Sequence, residues 1–318
     1  MEIMNNEDTY TYDVKVSYQK PDYYKIELTN TLNNHEQVIL RNDDGVYVVT
    51  PSLNKSFKFQ SDWPYNNSQV YLLNSILEDL KEDEEREYKT KDDGYYFSST
   101  VNYPNNKSLV KQKVYINKDA NITKTEVVDK DDNVQIVMNF NKQEYNKKFD
   151  KNYFELSELL DISNSKKETT KNNNTSDNEQ EQNDNSNNNT NTNDNTDTTN
   201  TKPTATIDDI IYPMYLPNNT YLTSQEIIDT DKGQRLILTF SGDSSFILVE
   251  ETATTADEGL IIPVSGDFDF LADVIGIVGT NSLSWHSNGI DYYIASDTIT
   301  TAELVEIANS VSILPVSK

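Results

Sequence analysis

A chain of 318 residues is long enough for two ordinary domains. Its 53 Asp and Glu against 27 Lys and Arg give a formal net charge of −26, which repels phosphate backbones and anionic membranes and argues against a nucleic-acid partner. The chain has no cysteine, so disulfides, thiolate metal sites, iron–sulfur clusters and cysteine nucleophiles are excluded, and no apolar run approaches the ~20 residues that span a bilayer.

The polar start, residues 1–8, does not read as a signal peptide. The strand pattern begins almost at once, at Thr9 or even at Ile3, and a domain seldom begins inside a sheet. A further segment upstream is therefore expected. Tyr10, Tyr12, Val14, Val16 and Tyr18 alternate with polar residues, the period of two of a strand with one buried face. Pro21 marks a turn, and Tyr24, Ile26 and Leu28 resume the alternation. Val38 and Leu40 follow, Asn42-Asp43-Asp44-Gly45 reverses the chain, and Phe57 and Phe59 close a meander of four or five strands.

Such a sheet needs an apolar cover. Leu73, Ile76, Leu77 and Leu80 fall at i, i+3, i+4 and i+7, which predicts an amphipathic helix over 68–82 that plugs the sheet. Strands are predicted again at 94–102, 109–117, 122–129 and 134–141, and the first module closes at 149–159. From 161 to 203 the chain is almost wholly Asn, Thr, Asp, Ser and Glu, a composition that cannot offset its ordering entropy and predicts a disordered tether.

In the second module, 204–318, Leu236, Leu238 and Phe240 face Phe246 and Leu248 across Gly242-Asp243. Further strands are expected at 260–264, 283–285 and 290–295, with Asn288-Gly289 as the strongest turn signal. Thr300 and Glu303 form a capping box ahead of a helix with Leu304, Ile307, Ala308 and Val311 on one face.

Few residues offer chemistry. His35 reads as a turn residue and His286 as a strand-end residue, in different modules, without ligands at metal spacing. Asp129, Asp131 and Asn133 begin a calcium-loop spacing, but Val134 and Phe140 stand where Gly and Glu are required, which leaves a hairpin turn. No catalytic residue, cofactor or metal site is expected. The tyrosines are the most suggestive feature. Tyr10, Tyr12, Val14, Tyr24 and Ile26 on the sheet, with Leu73, Ile76, Leu77 and Leu80 on the helix, form a candidate hydrophobic or partner-docking face.

The segment Lys20-Pro21-Asp22-Tyr23-Tyr24-Lys25-Ile26-Glu27 resembles a hairpin of the LolA-like lipoprotein-carrier superfamily. The strands around Tyr115, Val127 and Met138, ending in Phe154, are similar in order. The Asn-rich composition brings residues 3–158 nearest to GerS-related germination lipoproteins. The second module, through Tyr215-Leu216-Pro217, Leu283-Ser284-Trp285, Asn288-Gly289 and the last helix, resembles the DUF4367 domain, and the pair of modules is similar to RseB/MucB regulators.

The resemblance implies an α+β chain: an open half-barrel of antiparallel strands with a plugging helix, then a small antiparallel α+β domain. It further implies a non-enzymatic, extracytoplasmic protein of the Gram-positive envelope or forespore intermembrane space. Such a protein is lipid-anchored, although the lipobox Cys is missing here. It docks a partner such as a cell-wall amidase in sporulation or germination. The alternatives are a carrier of lipid or acyl chains and an RseB-like regulator of an anti-sigma factor.

Overall fold

The computed structural model describes residues 1–5, 8–91, 94–161, 205–271 and 273–311. The expected tether at 161–203 lies outside them, apart from Asp161. The first half contains β1 (Glu2–Asn5), β2 (Asp8–Gln19), β3 (Tyr23–Asn30), β4 (Glu36–Asn42), β5 (Gly45–Thr50) and β6 (Lys55–Phe59). Helix α1 (Leu73–Glu82) then precedes β7 (Glu87–Lys91), β8 (Gly94–Thr100), β9 (Leu109–Asn117), β10 (Ile122–Asp129) and β11 (Val134–Asn139). The second half contains β12 (Thr220–Thr230), β13 (Gly233–Gly242), β14 (Phe246–Thr252), β15 (Leu260–Val264), β16 (Asp267–Leu271), β17 (Val274–Val278), β18 (Ser282–Ser287), β19 (Ile290–Ala295) and α2 (Thr301–Asn309).

Two open sheets result. One has twelve strands in the order β15-β6-β5-β4-β3-β2-β1-β11-β10-β9-β8-β7, and the other has seven in the order β12-β13-β14-β19-β18-β17-β16. The first bends at β2, whose beginning pairs with β1 while the stretch from Tyr12 onward pairs with β3. Among the described residues all pairings are antiparallel except one: β15, from the second half, lies parallel to β6 with Leu260 opposite Lys55 and Val264 opposite Phe59.

The halves are also joined through the β16–β17 hairpin, which is apolar on both faces. Phe268, Ile275 and Ile277, with Phe270 beside them, pack into the core of the first sheet among Tyr24, Phe59 and Trp63. Leu271, Val274 and Val278 face the other way into the second core with Leu248, Trp285 and Leu304. The second half thus contributes residues to both cores.

Three expectations need correction. The helix over 68–82 starts only at Leu73, because residues 68–72 form a non-helical segment, turned by the Leu72 N–H to Gln69 O bond at 3.1 Å, that inserts Val70, Tyr71 and Leu72 into the first core. Ser68 is held there by its N–H to Asn102 O at 2.9 Å. The main plug is thus this segment together with the β16–β17 hairpin. Helix α1 covers only the far end of the sheet, where Ile76 and Leu80 pack on Val114 and Ile122.

The sheet is also buried on both faces around β4 and β5. Phe154, Leu156 and Leu160 lie over Val38, Leu40, Tyr47 and Val49, whereas Ile39 and Val48 face the first core. The same cover changes the alternation along β2. Ser17 is buried with its hydroxyl 2.9 Å from Tyr153 Oη, and Val16 is exposed.

Candidate functional site

A cleft of about 490 Å³ opens where the two halves meet. Its walls come from Met1 and β1 (Ile3), the inserted segment (Asn67, Gln69, Tyr71), the loop after β8 (Tyr103, Asn105), β16 (Phe268, Asp269) and α2 (Ala302, Glu306, Asn309). Each wall is fixed from behind. Thr300 caps α2 by accepting the Glu303 N–H at 3.3 Å, and Leu304, Ile307 and Ala308 anchor that helix in the second core. Asn5 Nδ2 donates to Asn309 O at 3.1 Å and ties β1 to α2 across the rim.

The interior is a relay of amides and phenols. Tyr71 Oη donates to Gln69 Oε1 at 2.6 Å, and Gln69 Nε2 donates to Asn67 Oδ1 at 2.7 Å. Phe270 N–H donates to Asp269 Oδ1 at 2.8 Å. Burial pushes the Asp269 carboxyl up to about 6, and the Phe270 N–H pulls against that shift. Burial likewise raises Tyr71 and Tyr103, so both phenols stay protonated and able to donate. Among the described residues Lys107 is the single Lys or Arg of the lining, against Asp269 and Glu306. This chemistry suits a polar or cationic group held by hydrogen bonds, beside the apolar surface of Ile3, Phe268 and Val305.

None of the nine residues expected to form a docking face lines this cleft. Tyr10 and Tyr12 are buried in a small cluster with Met1 and Ile3, and Val14 is half-buried beside them. Tyr24 and Ile26 are in the first core, with Tyr24 edge-on to Trp63 at 5.6 Å between centroids. Ile76 and Leu80 are buried and Leu73 is half-buried, whereas Leu77, 50% exposed, points to solvent. Leu77 is the most exposed of the nine, and six of them are buried. The cleft-lining amides carried no sequence signal, because Asn and Gln are common throughout the chain.

The two histidines, expected apart, meet at the junction with ring centroids 5.5 Å from each other. His286 Nδ1 lies 2.8 Å from Asp291 Oδ1, and Lys55 Nζ approaches Asp291 Oδ2 at 3.4 Å. Burial, with the neighbouring His286, lowers His35 to about 4. Asp129 spends its carboxylate on its own turn, accepting the N–H groups of Asp131 and Asn133 at 2.9 Å each. Among the described residues no cluster of three or more His, Cys, Asp or Glu could hold a metal ion, and no helix is long and apolar enough to cross a membrane.

These features define a mainly β protein of two interlocked open sheets with a polar cleft at their junction. The chain is 33% identical over 311 residues to the sporulation protein YdcC of Bacillus subtilis (strain 168), across 98% of this chain and 83% of YdcC, and it belongs to the YdcC family. No family model matches it.

Among solved structures, MucB covers 96% of this chain and 89% of its own, with a TM-score of 0.31 and 10% identity. The CwlD amidase from Clostridioides difficile in complex with the GerS lipoprotein gives 46% and 82%, with a TM-score of 0.24 and 16% identity. The MucA/MucB complex of Pseudomonas aeruginosa gives 96% and 90%, with a TM-score of 0.26 and 9% identity. TM-scores below 0.5 do not establish a shared fold.

Proposed function

We propose that this chain is a non-enzymatic, extracytoplasmic envelope protein of a sporulating Gram-positive bacterium, and that it docks a protein partner through the cleft at the junction of its halves. In this reading the first half is LolA-like and related to GerS, the second is DUF4367-like, and anchorage is by lipid. The name carried by the YdcC relative supports a role in sporulation. The observation that carries the docking is the cleft wall: Asn67, Gln69, Asn105, Asp269 and Glu306 offer hydrogen bonds that an acyl chain cannot return. A polypeptide loop with amide or cationic groups can return them. A cell-wall amidase is the partner class that the GerS-like reading favours, ahead of an anti-sigma factor or a lipid.

A photo-crosslinking residue at Ala302, on the exposed rim, tests this in sporulating cells. The reading expects one discrete polypeptide adduct that is lost when Glu306→Lys is added. Lipid adducts, or an adduct pattern unchanged by Glu306→Lys, contradict it. The purified chain is also expected to release no product from peptidoglycan or ester substrates.

A further inference from the structure

Sheet edges expose unpaired backbone groups, and proteins guard them by shortness, lysine, proline or cover. Three of the four edges here follow that rule. At the ends of the twelve-stranded sheet, β7 has five residues and includes Lys89, and β15 has five residues and includes Pro263. In the seven-stranded sheet, β16 has five residues and is packed between the two cores.

The fourth edge is β12. It runs for eleven residues, contains no Lys, Arg or Pro, and is exposed from Tyr221 to Asp229 except at Ser224. Among the described residues, the only backbone bond reaching it from outside the β12–β13 ladder joins Thr220 N–H to Pro217 O at 3.2 Å.

Both faces of β12 carry apolar side chains. Leu222 and Ile227 pair opposite Phe240 and Leu236 and share their face, and they are 40% and 57% exposed. Tyr221 and Ile228, opposite Ser241 and Arg235, stand on the other face and are 63% and 42% exposed. Within the strand the charge is of one sign, with Lys232 following in the turn to β13. Glu226 and Asp229 are the ionisable acids of the strand, and the nearby Arg235 is taken up by Glu251 at 2.8 Å. A second copy would bring another −26 to this edge, so charge complementarity favours a basic partner.

We propose that β12 is a docking edge for an extended, basic segment of a partner protein, which adds as an eighth strand to the seven-stranded sheet. Backbone hydrogen bonds along β12 supply the register-independent part of the affinity. Selectivity comes from alternation: apolar side chains on the face of Leu222 and Ile227, and Lys or Arg on the opposite face beside Glu226. The site goes beyond the cleft reading. β12 and β16 stand six strand steps apart, about 29 Å at ~4.8 Å per step.

The test uses the full chain and three labelled ten-residue peptides, Lys-Val, Glu-Val and Lys-Ser repeats, read by fluorescence anisotropy and by hydrogen exchange. The proposal expects saturable binding of the Lys-Val peptide alone, with slowed exchange confined to 220–230. Affinity falls at least tenfold in Glu226→Lys/Ile227→Lys and, separately, in Leu222→Lys, and is unchanged in Tyr88→Lys on the guarded edge β7. Equal binding of the Lys-Ser peptide, protection elsewhere, or insensitivity to the β12 variants overturns it. Concentration-dependent protection of 220–230 without peptide assigns the edge to a second copy, and also overturns it. Glu306→Lys in the cleft leaves the peptide affinity unchanged, so failure at one surface is distinct from failure at the other.

Discussion

The side-chain amide of Gln37 binds both backbone groups of Ile275, with Nε2 donating to its carbonyl at 2.9 Å and Oε1 accepting its N–H at 2.6 Å. Gln37 sits on β4 and Ile275 on β17, so one side chain acts as a strand neighbour between the two halves. Gln37→Ala leaves both groups of Ile275 buried and unpaired, at a cost of ~1–3 kcal/mol. Urea denaturation is expected to show a lower midpoint with an unchanged slope.

The shared hairpin makes the halves unfold together. Trp63 belongs to the first core and Trp285 to the second, so Trp63→Phe and Trp285→Phe leave one reporter in each. Fluorescence transitions of the two variants are expected to keep a single-step form, each coinciding with circular dichroism of the same variant. Phe268→Ala, which removes a ring 5.1 Å from Phe59 and 5.8 Å from Trp63, is expected to lower both by ~3–5 kcal/mol. A variant that shifts only the Trp63 signal contradicts the interlock.

Acid acts on the junction through His35. Its folded value, about 4, lies below the ordinary 6.5, so between those values the unfolded chain holds a proton that the folded chain lacks. The stability contributed by neutral His35 is present above about pH 6.5 and is lost as pH falls toward about 4. Beside it stands His286, whose own neighbours are Asp291, with Lys55 on Asp291, and Asp273, which accepts from Ser287 at 3.0 Å and Asn33 at 3.3 Å. His35→Phe is expected to flatten this acid limb, as read by urea midpoints across the range.

Glu250 works in the opposite sense. It is fully buried in β14, accepts the Ile211 N–H at 3.1 Å, and burial raises its carboxyl to about 7 from 4.5. The folded chain therefore holds a proton that the unfolded chain releases, and stability is lost as pH rises through 7. Glu250→Gln keeps an oxygen for Ile211. A higher melting temperature is expected at about pH 8, with a gain that disappears near pH 4.

Much of this architecture was legible where the alternation was clean. Val134, Ile136 and Met138 marked β11, Asn288 and Gly289 with φ of 50° and 80° made the expected turn, and Thr300 capped α2 as its spacing required. Two of the missed strands share a cause. A strand buried on both faces or on neither has no period of two. The run Val274–Val278 is buried throughout, and β12 is exposed on both faces, so neither was anticipated. Val38 and Leu40 alternated as expected but face the 149–160 cover, since periodicity alone does not say which side is covered twice. The cleft depends on contacts between distant halves, so its helix and the strand at Ile3 were predicted but not their meeting.

Native mass spectrometry of the full chain isolated from its own sporulating cells asks most directly what the cleft holds. The account predicts a polypeptide mass on the chain that disappears in Ala302→Trp, whose indole fills the rim. A retained lipid mass, or a polypeptide held equally well by Ala302→Trp, would contradict it.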